Sequence, residues 1–214
     1  MSPSFPNHSH FEDPGAKDAK PASKSQTRAI FFASGLDARP LGLTYAEASD
    51  FLDRLKASEA AEAAITELQE RGATGSPKVP KAVRDARHAA LFERAWAAGV
   101  AAAQAHTPVP MTVVEYANPL ADILGGDPGE VVRQYEPVAD GACGFAWVTI
   151  HPGNSSFARW LTANNRARPH YRGGVQVWIS DYNQSYERKS EHARAMAAAL
   201  REEGVQAYSG GRLD

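Results

Sequence analysis

The 214-residue chain is 43% hydrophobic and carries 23 Lys and Arg against 25 Asp and Glu. That is enough apolar material for one sizeable core or two smaller ones, and the charge is too balanced for a global pull toward nucleic acid or membrane. A lone cysteine, Cys143, excludes an intrachain disulfide and a multi-cysteine zinc site. No apolar run reaches the roughly 18 residues a membrane-spanning helix needs, and the opening MSPSFPNHSHFEDPG lacks a secretory pattern. A cytoplasmic protein without a membrane partner is expected.

Residues 1–25 are rich in Pro, Ser, Lys, Asp and His and lack periodic hydrophobics, which predicts a flexible tail. His8, His10, Glu12 and Asp13 cluster there, but a tail offers a metal no fixed geometry, so no metal site is assigned. Residues 26–106 read as a helical region. Ile30, Phe31 and Phe32 open an apolar stretch ending before Gly35. Thr44 and Glu47 have the spacing of a capping box, and Ala48, Phe51, Leu52 and Leu55 follow at helical period. A third helix runs through Ala64 and Leu68 to Arg71, with Gly72 as its stop. GATGSPKVPK is a linker by composition, and an alanine-rich helix follows over about 81–104, packing through Leu91, Phe92, Ala95 and Trp96.

Residues 107–214 read as an α/β domain, best defined over 141–214. MTVVEY (111–116) predicts a strand, 118–129 a loop, and 129–134 a short helix. In CGFAWVTI, Cys143, Phe145 and Trp147 alternate with Gly144, Ala146, Val148 and Ile150; both sets are apolar or small, which predicts a strand covered on both faces. Asn154 or Ser155 caps a helix carrying Phe157, Trp160 and Leu161. Val175, Val177 and Ile179 alternate with Gln176, Trp178 and Ser180 in a second strand. Asp181 and Gln184 offer a cap for a helix over about 184–203, and 205–208 forms a last short strand. The expected class is α+β: a helical region plus a small mixed sheet with helices packed on it, its strands joined in a mixed or parallel sense.

Two stretches carry resemblances. Residues 25–56, with GLTYAEASDFLDRLK, resemble short helical modules appended to bacterial and phage proteins, which implies a docking role. ADGACGFAWVTIHPGNSSFARWL (139–161), the YRGG of 171–174 and VWISDYNQSYERKSEHARAMAAALREEGVQAYSGGRLD (177–214) are similar to a family of bacteriophage and bacterial proteins of unknown function. That resemblance implies a source, with the host-cell cytoplasm as location, and a domain; it implies no reaction and transfers no catalytic residue.

Nucleotide-binding, zinc-protease and esterase signatures are absent, and no cofactor is expected. Cys143 and His151 stand eight residues apart on one extended segment, about 26 Å, too far for a thiol–base pair. Two features remain. If the strands run parallel, the turns HPGNSS and DYNQS share one rim, where His151, Asp181, Tyr182 and His192 are the candidates for acid, base or ligand roles. The alternative is that Asn154, Ser155 and Asp181 only cap helices. Secondly, residues 155–194 hold seven basic side chains against three acids, interleaved with aromatics, whereas 111–150 holds six acids and one arginine. Arg159, Trp160, Arg166, Arg168, Arg172, Trp178, Arg188 and Lys189 are the candidate contacts to nucleic acid or a protein partner. Trp178 decides between a platform and a core, according to whether its strand face is open. An accessory binding module is therefore the leading expectation, ahead of a small enzyme and of an interaction protein with no small-molecule site.

Overall fold

Ser23 and Thr44 start helices in the same way. Each side-chain hydroxyl accepts a hydrogen bond from the N3 amide, while the N3 side chain, Gln26 or Glu47, accepts one from the cap backbone amide. The structure, a computed structural model, describes residues 19–214; His8, His10, Glu12 and Asp13 lie outside the described residues. The fold is α+β, with helices and several small antiparallel sheets in two compact units that divide between Arg87 and His88.

In the first unit, α1 (Lys24–Ser34) leads to β1 (Leu36–Asp37), a 3-10 turn (Arg39–Leu41), α2 (Tyr45–Lys56) and α3 (Ala61–Glu70). The stretch read as a linker contains β2 (Thr74–Gly75), which pairs antiparallel with β1. Ahead of α1 the chain is already engaged: the Ala22 amide donates to Leu43 at 2.8 Å and the Tyr45 amide to Lys20 at 2.7 Å. Ile30, Leu36, Leu43, Phe51, Leu55 and Leu68 form the core.

The unit boundary falls inside α4 (Lys81–Ala105). In the second unit an arm follows: β3 (Val114–Tyr116), α5 (Pro119–Ile123) and β4 (Val131–Gln134). Residues 129–134 were expected as a helix, but Val131 and Val132 favour extended backbone, and Val131, Arg133 and Gln134 pair with β3 across the turn. At the base of the arm, Glu187 accepts from His106 at 2.8 Å and from the Val109 amide at 3.2 Å, and these two bonds hold its carboxyl below the usual range.

The remaining elements are β5 (Gly144–His151), α6 (Ser156–Ala163), β6 (Arg168–Pro169), β7 (Val175–Ile179), α7 (Tyr186–Glu202) and β8 (Gln206–Leu213). The sheet order is β6-β7-β5-β8, and every pairing is antiparallel. The expected mixed or parallel joining is corrected by β6. This two-residue edge strand, too short to show periodicity, takes up the crossover after α6, and the turn that follows sends β7 back antiparallel to β5. The result is the βαββαβ, or split βαβ, topology. β8 also runs past its expected end at Tyr208 through Gly210 and Gly211.

One face of this sheet is the core. Ala146, Val148, Ile150, Val175, Val177, Ile179 and Ala207 pack against Phe157 and Leu161 of α6, Met196 and Leu200 of α7, and Phe92 and Ala95 of α4. Each fully buried large aliphatic contributes about 1.5–3 kcal/mol relative to exposure.

Candidate functional site: the uncovered sheet face

Because β5 alternates strictly, its other side chains must leave the core. Its burial follows suit: Gly144, Ala146, Val148 and Ile150 are buried, while Phe145, Trp147, Thr149 and His151 are half-buried. The expectation of a strand covered on both faces is thereby corrected. The second apolar set is aromatic, and among the described residues of this unit no helix packs on it. Register extends the face sideways. Trp147 stands opposite Trp178 of β7 and Gly210 of β8, Thr149 opposite Gln176 and Tyr208, and Phe145 opposite Arg212. Arg168 of β6 faces Gln176 and joins the same side. Trp178 is 43% exposed and Tyr208 57% exposed. The open face places Trp178 at the surface rather than in the core.

These rings form one surface. Trp147 and Trp178 lie 5.1 Å apart between centroids, and Phe145 meets Trp178 edge-on at 6.2 Å. Gly210 is what lets the Trp147 indole lie flat, since a Cβ there would stand 2.7 Å from its Nε1. At the far end His151 meets Tyr208 edge-on at 6.2 Å. The Arg212 guanidinium sits 5.3 Å over Phe145. Beside Trp178 a groove of about 480 Å³ is lined by Asn165, Arg166, Arg168, Gln176 and Ser180. The face positions named on β5 to β8 include arginines, aromatics, Thr149 and Gln176, and no acid. The chemistry available is stacking on flat rings plus cationic and amide donors.

The other expected residues scatter. Arg159 and Trp160 belong to α6, in the helical layer, where Trp160 stacks with Phe157 at 6.2 Å. Arg166 borders the groove, but its guanidinium lies 5.1 Å over Phe92 and 3.7 Å from Glu93. Arg172 sits in the β6–β7 turn, 5.3 Å over Tyr171. Arg188 is on α7 with a buried Nε lacking a partner, and Lys189 is buried with its Nζ donating to the Gly144 carbonyl at 3.1 Å. Of the eight, Arg168 and Trp178 share the open face, and Arg166 and Arg172 flank it. Phe145, Trp147, Tyr208 and Arg212 were not among the expected contacts; the polar Thr149 and His151 in the same alternating set were the signal that this side meets solvent.

The shared rim does not exist. Antiparallel β5 and β7 put HPGNSS and DYNQS at opposite ends of the sheet: Val175 faces Ile150 while Ile179 faces Ala146. His151 and Asp181 are therefore about seven residues apart along the strands, roughly 24 Å. Asp181 caps nothing, because α7 begins at Tyr186 after Ser185, with no side-chain cap bond. Ser155, by contrast, does cap α6, accepting from the Ala158 amide at 3.1 Å. Tyr182 and His192 do meet, hydroxyl to Nδ1 at 2.9 Å, but inside the molecule. His192 is fully buried against Trp96 at 4.5 Å and against Gly99, where a Cβ would stand 2.3 Å from the ring. Burial lowers its pKa to about 4, partly offset by Asp181, and burial together with Asp181 raises that of Tyr182. Burial thus favours the neutral form of His192, whose Nδ1 meets Tyr182 and whose buried Nε2 has no hydrogen-bond partner among the described residues.

No protein-family model, curated protein or solved structure matches the chain. Among the described residues no helix is long and apolar enough to cross a membrane.

Proposed function

We propose that the second unit is a binding module for single-stranded nucleic acid, with the open face of the β6-β7-β5-β8 sheet as its contact surface. One observation carries the reading: Phe145, Trp147, Trp178 and Tyr208 lie side by side on an uncovered antiparallel sheet, with arginines and no acid among the paired strand positions of that face. Four-stranded sheets with helices on one side bind single-stranded RNA through aromatics that stack successive bases, and sequence-tolerant binders combine such platforms with cations for the backbone. Topology alone would not support this, since one fold hosts many functions; the composition of the face does. Arg168, Arg172 and Arg212 surround the rings at positions suited to phosphates. A phage or bacterial source, which the sequence pattern of residues 139–161 and 177–214 implies as an expectation, is part of the same proposal, with an accessory role on nucleic acid.

The test is fluorescence anisotropy of a labelled single-stranded oligonucleotide titrated with the full chain at low salt, then at rising salt. Binding is expected, with a log–log salt slope of about −2 if two or three phosphates are neutralised at about 0.7 each. Absence of binding at low salt, or equal binding by a W147A/W178A variant, overturns the reading.

A further inference from the structure

The first unit carries an apolar ridge that its own core does not use. Phe31 and Phe32, adjacent on α1, are 43% and 63% exposed and meet edge-on at 5.9 Å. Lys78 stands 5.5 Å over Phe31, and Arg28 stands 5.4 Å over Phe32. A groove of about 760 Å³ runs on one side, past Phe32, Leu55 and Val79, and one of about 550 Å³ on the other, past Thr27 and Phe31. Their linings hold seven Lys and Arg side chains and two acids. Asp37 pairs with Arg39, Asp85 with Lys81 and Lys56 with Asp53, which leaves Lys24, Arg28, Lys78 and Arg84 to set the charge of the linings. What remains is a phenylalanine ridge between two concave, strongly cationic channels, so its occupant must be apolar and acidic.

This chain contains such a segment. On the arm of the second unit, Leu120, Ile123 and Leu124 are 67%, 79% and 84% exposed, and Val131 and Val132 on β4 are 54% and 64% exposed. Residues 111–140 carry six acids and one arginine, and Glu115, Asp127, Glu130 and Glu136 are exposed. Large side chains left in water on a five-residue helix, the turn after it and the strand beyond indicate a surface made to be covered. The geometry points to the arm tip of a second copy of this chain as the occupant of the phenylalanine ridge. The ridge suits the arm better than the aromatic sheet face does, because its channels are concave and can accept projecting leucine and isoleucine side chains. Ridge and arm are different patches, so the contact is heterologous and builds a ring or an open chain of copies rather than a two-fold dimer. The inference is independent of the nucleic-acid reading.

The test is light scattering coupled to size exclusion, over a concentration series at low and high salt, on the full chain and on two variants. R28E/F32E breaks the ridge and I123K/L124K breaks the arm; all four positions are exposed, and far-UV circular dichroism confirms that each variant folds. The wild-type mass is expected to rise with concentration and fall with salt, and each variant to stay at the mass of one chain. An equimolar mixture of the two variants is expected to form a one-to-one dimer and nothing larger, because one partner keeps an arm and the other keeps a ridge. Should either variant fold poorly, R28E alone or L124K alone is expected to weaken assembly at least tenfold. A wild type monomeric throughout, variants that still assemble, or a mixture that stays monomeric overturns the inference. So does loss of assembly in W178A, which would place the arm on the sheet face instead. Oligonucleotide binding by R28E/F32E is expected to be unchanged, so the two proposals fail separately.

Discussion

The two faces of the β6-β7-β5-β8 sheet are built from alternate residues of the same strands, yet they differ in kind. Toward the helices the residues are branched or small aliphatics, Ala146, Val148, Ile150, Val175, Val177 and Ile179, closed over by Met196, Leu200 and Leu161. Away from the helices they are flat rings with polar neighbours, Phe145, Trp147, Trp178 and Tyr208 beside Thr149, Arg168, Arg212 and a buried Gln176. Aliphatic side chains interdigitate and need a partner layer to be stable. Aromatic rings lying against a sheet keep one π-face free, and that face can take another ring. The difference teaches that apolar composition on a strand does not by itself mean a core; the shape of the apolar residues matters.

The largest effects separate the faces by stability against binding. Leu200→Ala and Met196→Ala remove fully buried side chains from the covered face and are expected to cost about 2–5 kcal/mol. Urea denaturation reads this directly, and a loss well under 1 kcal/mol would mean that the helices do not close over the sheet as described.

Next comes the pH dependence set by His192 beneath the same layer. Its folded pKa of about 4 lies below the ordinary value of about 6.5. The unfolded chain therefore binds the proton first, and stability is complete above about pH 6.5 and declines as pH falls toward 4. The shift corresponds to about 3 kcal/mol. Unfolding midpoints at pH 7 and pH 4.5 are expected to differ by much less in His192→Gln than in the wild type; equal slopes would remove His192 from the account.

Only the secondary-structure skeleton of this comparison was readable in the sequence. The Thr44–Glu47 capping box, the β7 alternation and the Ser155 cap stood in the residue pattern because each is a local device. Strand direction was not readable, because it hinges on β6, whose two residues carry no period. Nor was the open face. Hydrophobicity scores Phe145 and Trp147 like core residues, and the position of Trp178 opposite Trp147 exists only once β5 and β7 are in register. Likewise 129–134, expected as a short helix, is too short to show a period, and pairing with β3 decided the strand.

On the open face the effects move from stability to affinity. Trp178→Ala is expected to weaken single-strand binding by about 1–3 kcal/mol, the usual worth of one stacked base, while leaving the denaturation midpoint nearly unchanged. Arg212→Gln is expected to act more weakly and evenly across sequences, lowering the magnitude of the salt slope by about 0.7. Equal salt slopes in the two proteins would mean that Arg212 touches no phosphate.

The most direct measurement is the intrinsic tryptophan fluorescence of the full chain, titrated with a single-stranded oligonucleotide at low salt. Of the four tryptophans, Trp147 and Trp178 lie on the open face, whereas Trp96 and Trp160 pack against the core. The prediction is saturable quenching that salt reverses and that disappears in a W147F/W178F variant. Emission that stays constant through the titration, or quenching that persists in that variant, would contradict the placement of nucleic acid on this face.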